Sequence, residues 1–271
     1  MKKLLLILLM MSLALSLAAC KDKNDDGEQD APADSETDGS DTGKNLPFVG
    51  SLGIEYTLNE DGKSYSATGI GNCKESDIVI SYGYMGMPVT AIADGAFENC
   101  DSITSVKVRE GITYIGKNAF TGCDQLTSVT LPSTVSRIGD EAFRQTAITE
   151  LRLPTGITNV GDYVFADCTS LTFASLSEGS NEVGVGMFSG CTALTEVLLA
   201  SNTSVIGKRA FDGCELLEKI TLPSSLTRVD DEAFCGCPSL YNIRYFGNES
   251  DWQKVTVGKG NELLTDAIVF E

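Results

Sequence analysis

The chain has 271 residues, 38 acidic against 20 basic, and a formal net charge of −18; an anionic surface of this kind repels nucleic acid and anionic headgroups. It contains no histidine, which removes Ser-His and Cys-His nucleophile pairs, imidazole metal ligands and the commonest general base together. Composition therefore argues against a nucleic-acid partner and against an enzyme, and calls for no cofactor or metal.

Lys2 and Lys3 precede an almost wholly apolar run, Leu4 to Leu17, the pattern of a secretory signal rather than a membrane span. The run ends Leu17-Ala18-Ala19-Cys20, which resembles a bacterial lipobox. Residues 1–19 are thus expected to be a lipoprotein signal peptide, with Cys20 the site of lipid attachment. Two or three acyl chains, at about 0.8 kcal/mol per buried methylene, anchor a protein stably. Residues 20–46 form the lipidated cysteine and an acidic tether. From 21 to 45 there are nine Asp or Glu, three Lys and no aromatic or large aliphatic side chain, a disordered composition spanning roughly 25 to 30 Å as a flexible coil.

The rest of the chain repeats. Phe97, Phe120, Phe143, Phe165, Phe188, Phe211 and Phe234 are spaced 23, 23, 22, 23, 23 and 23 residues apart. Three residues after each comes Cys100, Cys123, Thr146, Cys168, Cys191, Cys214 or Cys237, and then Leu-x-x-Val-x-Leu, as in Leu126, Val129 and Leu131. This is a leucine-rich repeat core. Val129 and Leu131 obey the period of two of a strand, with Thr130 pointing out, so stacked turns build a parallel sheet with strands about 4.8 Å apart. The other half reads Ile138-Gly139-Asp140-Glu141-Ala142-Phe143. There Gly is expected to permit the bend and Asp to cap a short helical or 3₁₀ turn, since 23 residues leave no room for a full helix. The fold class expected is an α/β leucine-rich repeat solenoid of about seven turns, with a parallel β-sheet on one face and short helical or 3₁₀ turns on the other. Two places depart from the pattern: the third turn is one residue short around Thr146 to Ile148, and a bulge or loosened turn is expected around Ser175 to Glu182.

Ile-Gly-x-x-Ala-Phe-x-x-Cys-x-x-Leu-x-x-Val-x-Leu-Pro resembles the BspA-like leucine-rich repeat family of bacterial surface proteins, from about Leu52 to Glu271. The resemblance implies an N-terminal cap over 47–90, repeats over 91–246 and a C-terminal cap over 247–271, and it implies adhesion. Caps are needed because an end turn exposes core and an unpaired strand edge. Trp252 is expected to plug the last turn, on a short helix capped by Ser250 or Asp251.

Stacked cysteines have parallel side chains, leaving their β-carbons near 4.8 Å apart and outside the preferred 3.5 to 4.5 Å of a disulfide. Buried free thiols are the expectation, with Cys73 joining from the N-terminal cap and Cys235, in a polar column, exposed. Leu131-Pro132-Ser133-Thr134-Val135 imitates a sorting signal but is explained by the repeat. Gly184-Val185-Gly186 lacks a phosphate-loop context, and Asp230/Asp231 read as solvated caps. No metal site is expected.

A ligand is expected on the outward strand positions. Lys107, Arg109, Arg152, Lys219 and Arg244 are five of the repeat domain's fifteen basic residues and lie on or beside that face, with Phe173 and Leu198 near its centre. A rigid sheet with an apolar centre and basic side chains around it suits protein recognition. The reading is a membrane-anchored surface lipoprotein, exported to the bacterial envelope, that binds an extracellular protein. Alternatives are a carbohydrate-binding protein, with a glycan partner, or a structural spacer.

Overall fold

The computed structural model describes residues 46–266 and 268–270; the signal segment, Cys20 and the acidic tether to residue 45 lie outside them. Each repeat makes one turn with three backbone-bonded faces. The first is the anticipated strand, in Ser105–Val108, Ser128–Thr130, Glu150–Arg152, Phe173–Ser175, Glu196–Leu198, Lys219–Leu222 and Asn242–Tyr245. Pairing is parallel and in register with the repeat: Phe173 faces Glu196, and Ser175 faces Leu198. Asp77–Ile80 and Ile268–Phe270 extend this face at its ends, so both caps supply turns of their own.

The repeat motif does not announce the second face, made of two-residue strands paired in parallel as two sheets: Tyr114–Ile115, Arg137–Ile138 and Asn159–Val160 in one, and Glu182–Val183, Val205–Ile206, Arg228–Val229 and Thr256–Val257 in the other. Each shows a single alternation, such as exposed Arg137 beside buried Ile138. That is too short for a period of two to register.

The third face holds the expected 3₁₀-type turns. Thr121 donates to the Asn118 carbonyl and Cys123 to that of Phe120, both at 3.2 Å. They do not lengthen into helix because left-handed residues interrupt them, with φ of +54° at Asn118 and +72° at Gly122. The N–H groups between point along the solenoid instead. Asn118, Phe120 and Gly122 donate to the carbonyls of Asp140, Ala142 and Arg144, one turn on, at 3.0, 2.8 and 2.9 Å.

Two sequence expectations about this half change their physical reason. The glycine of Ile-Gly-Asp keeps an ordinary φ and serves close approach: a Cβ on Gly139 would stand 2.6 Å from the Lys117 nitrogen, and one on Gly161 2.5 Å from that of Asp140. The aspartate caps its neighbour, not its own turn. Asp94 accepts from the Lys117 N–H at 2.8 Å and Asp140 from that of Asp162 at 3.1 Å.

The core is two ladders. All seven column phenylalanines are buried, their rings stacked with centroids 5.1 to 5.9 Å apart and planes within 13°. Beside them, the thiols of Cys123, Cys191, Cys214 and Cys237 donate to the carbonyls of Phe97, Phe165, Phe188 and Phe211, the phenylalanines of the preceding turn, at 3.0 to 3.2 Å. The eight cysteines among the described residues are free; Cys73 is half-buried against the core and Cys235 is exposed.

The C-terminal cap corrects one expectation. The helix Glu249–Trp252 is capped by Asn248, whose side chain accepts from the Asp251 N–H at 3.0 Å; Ser250 and Asp251 lie inside it. Trp252 packs edge-on against Tyr245 at 5.2 Å. Buried Leu264 and Asn261 reach further in. The Asn261 side chain accepts from the Phe234 N–H at 3.1 Å and donates to the carbonyls of Asp230 and Gly258, standing in for the backbone of a following turn.

Candidate functional site

The outward side chains of the long strands form two parallel files. One runs Lys107 and Thr130, then Arg152, Ser175 and Leu198, then Thr221, Arg244 and Val269. The other includes Glu150, Phe173 and Glu196, then Lys219 and Asn242. Alternation puts Val106, Leu151, Ala174, Val197, Ile220 and Ile243 into the core beneath them.

Arg152 and Phe173 come together, with Leu198 on the same face. The Arg152 guanidinium lies over the Phe173 ring, 4.7 Å from its centroid, a cation–π contact worth about 0.5–1 kcal/mol at an exposed site. Phe173 is consequently half-buried, not the exposed apolar side chain expected of it. Leu198 remains 45% exposed, two strands from Arg152 in the same file. The Glu150 carboxylate stands 3.8 Å from Arg152, too far to occupy its donors.

The other basic residues are more scattered. Lys219 is paired with Glu196 at 3.0 Å across the strands. Arg244 reaches Asn242 in its own strand and sits between Thr221 and Val269. Lys107 faces Thr130, but no strand pairing joins their sheet to that of Arg152. Arg109 lies past the strand end and is half-buried. Val269, 56% exposed, is a member the sequence reading missed; the alternation in Ile268-Val269-Phe270 carried the signal. Cys20 lies outside the described residues.

The buried thiols are not nucleophiles in waiting. Desolvation pushes Cys123 and Cys237 up to about 12 and Cys168 to about 11, and raises Cys191 and Cys214 well above the ordinary thiol range. On the second sheet, Arg137 lies over the Tyr114 ring at 5.0 Å and borders a shallow groove of about 450 Å³ with Asp140 and Asn159. Among the described residues no three His, Cys, Asp or Glu side chains group to hold a metal ion.

The family model described as BspA type Leucine rich repeat region matches in six copies, over residues 90–216 and 170–254, together more than half of the chain. A leucine-rich repeat protein of T. pallidum has the same architecture, with a TM-score of 0.55 at 23% identity over 76% of this chain and 83% of that one. A leucine-rich repeat protein from Bacteroides ovatus ATCC 8483 gives a TM-score of 0.51 at 25% identity, over 76% of this chain and 66% of that one. No curated protein matches.

Proposed function

Because the chain belongs to the BspA-type leucine-rich repeat family, we propose that it is a surface-exposed, lipid-anchored bacterial protein that binds another protein through its long-strand face and catalyses no reaction. The observation that carries this reading is the Arg152 and Phe173 pair with exposed Leu198 on the same face. A planar guanidinium braced on an aromatic ring loses little freedom on pairing with a carboxylate, and an exposed leucine two strands away supplies apolar area beside it. Arginine and aromatic side chains of this kind dominate binding energy at protein interfaces. The strands that hold them are fixed by core residues below, so the face is presented pre-formed.

Anchoring rests on Leu17-Ala18-Ala19-Cys20, and the acidic stretch behind it supports a solvated tether. Adhesion to host or microbial protein is the use such a face would serve. The full chain is to be presented to arrays of extracellular proteins and glycans beside a variant with Lys107, Arg152, Phe173, Leu198 and Arg244 changed to alanine. A protein ligand lost in the variant supports the reading; a ligand held equally by both forms refutes the site. Cys20→Ala should release the protein from the membrane fraction, and unchanged retention would remove the lipid anchor from the proposal.

A further inference from the structure

Both sheets break once, at neighbouring interfaces and on different faces. On the long-strand face, Ser128–Thr130 and Glu150–Arg152 fall in separate sheets, with one backbone hydrogen bond left between them, Thr149 to Thr127 at 3.4 Å. On the short-strand face, Asn159–Val160 and Glu182–Val183 also fall in separate sheets, and no backbone hydrogen bond joins them. Gly161 donates to Ile138 and Gly207 to Val183, each at 2.9 Å, but Gly184 has no such bond.

The side chains repeat the pattern. Hydroxyls one residue before the strand column donate to the carbonyl of the preceding turn at Thr127, Thr172 and Thr195, and not at Thr149. On the other corner they do so at Thr113, Ser136, Thr158, Ser204 and Thr227, while Asn181 bonds to Ser204 instead. Phe165 and Phe188 form the widest and most tilted pair of the ring stack, 5.9 Å and 13°.

The third face stays closed through both interfaces. Glu141, Phe143 and Gln145 each donate one turn on at 2.9 Å, and Tyr163, Phe165 and Asp167 do so at 2.8, 3.0 and 2.7 Å. Arg144 bridges Glu141 and Asp167 across the first interface.

We propose that the stretch from Thr130 to Gly184 is a double joint hinged along the phenylalanine face, the first interface opening the long-strand sheet and the second the short-strand sheet. Strands held by an unbroken ladder move together, whereas an interface that has lost one of three ladders yields first. Lys107 and Thr130 then ride on one block, Arg152 on the turn between the two joints and Ser175 to Arg244 on the other block, so a partner spanning them must fix the joint. The joint is built into the turns whatever the face binds.

A local departure from the repeat lies beside each break. The first lies where the chain is one residue short, between Thr146 and Ile148, and the bond that remains there, Thr149 to Thr127, is stretched to 3.4 Å. The second lies beside two serines: Ser177 takes the place of Pro132, Pro154 and Pro223, and Ser180 that of Val135, Ile157 and Leu226; the next turn has Ala200 and Thr203 there, but Thr203 is buried and that turn keeps both its ladders. Val135, Ile157 and Leu226 are buried plugs; Ser180 is only half-buried and turns its hydroxyl to the Glu182 carbonyl.

Hydrogen exchange on the full chain tests the joint. Amides in 147–152 and 180–184 should exchange at least about ten-fold faster than those in the equivalent stretches 125–130 and 203–207; equal protection overturns the proposal. Restoring the consensus with Ser177→Pro and Ser180→Val together should slow 180–184 by about ten-fold and leave 147–152 unchanged. An unchanged rate at 180–184 overturns the second joint, and the wild-type comparison stands even if the variant folds poorly.

Discussion

The Cys123 thiol donates to the carbonyl of Phe97, 3.0 Å away in the preceding turn. One column thus serves the other: cysteine fills the interior and occupies a carbonyl lone pair that a methyl would leave facing apolar surroundings. Thr146 makes the same kind of bond, to its own turn's Phe143 at 2.9 Å. The Phe97 carbonyl keeps its bond from the Cys100 N–H at 3.2 Å, so Cys123→Ala should lose about 1–3 kcal/mol from the cavity and the vacated lone pair, and Cys123→Thr should cost less. Urea midpoints of the two variants check the order.

Raised thiol pKa values make stability depend on alkali. A thiol with a folded pKa above its unfolded value, about 8.5, stabilises the fold below that value and ceases to do so as pH climbs through the folded pKa. The window here runs from about 9 to 12. Within it each buried thiol removes up to about 1.4 kcal/mol per pH unit. Urea midpoints should fall steeply above pH 9, and less steeply in Cys123→Thr. In native protein at pH 8, Cys235 should react with a thiol reagent ahead of the buried column, and Cys235→Ser should remove that phase.

Glycines in the two half-turn columns should respond differently. Gly139→Ala forces a Cβ to 2.6 Å from backbone nitrogen and should cost at least about 2 kcal/mol through displaced turns. Gln145→Gly should do the reverse. Gln145 has φ +56° in a column where Gly122, Gly190, Gly213 and Gly236 also have positive φ, so glycine there should stabilise by about 0.5–1 kcal/mol. Thermal midpoints should move in opposite directions.

Asn261 is 1% exposed and bonded in both roles. Asn261→Asp keeps the acceptor for Phe234 but loses the amide donors and buries a charge, so it should cost more than about 3 kcal/mol near neutral pH. Acid should return part of that loss by protonating the new carboxyl. A midpoint insensitive to this change would show that the cap is dispensable.

What the sequence displayed was what its side chains do. The Phe97 to Phe234 column, the thiol column and the strand around Val129 are legible because each is a repeated apolar side chain with a fixed neighbour. The second sheet and the hydrogen bonds of the third face are backbone, and strands as short as Arg137–Ile138 leave no pattern. Both irregular places were visible, one as a missing residue and the other as Ser177 and Ser180, but not that each opens a different face. On the candidate site, the outward file was readable from alternation. The half-burial of Phe173 was not, because it depends on where the Arg152 side chain comes to rest.

The forward-pointing N–H groups of the third face have a consequence for the order of folding. Phe97 needs the Ala119 carbonyl, Phe120 that of Ala142, and so on until Phe234, which is satisfied by Asn261. A chain made from its N-terminus always ends, at any moment of synthesis, in a turn whose donors have no acceptor yet. Completion is signalled by one amide side chain near the far end, and a ribosome stalled before residue 261 leaves a product whose last turn is still frayed.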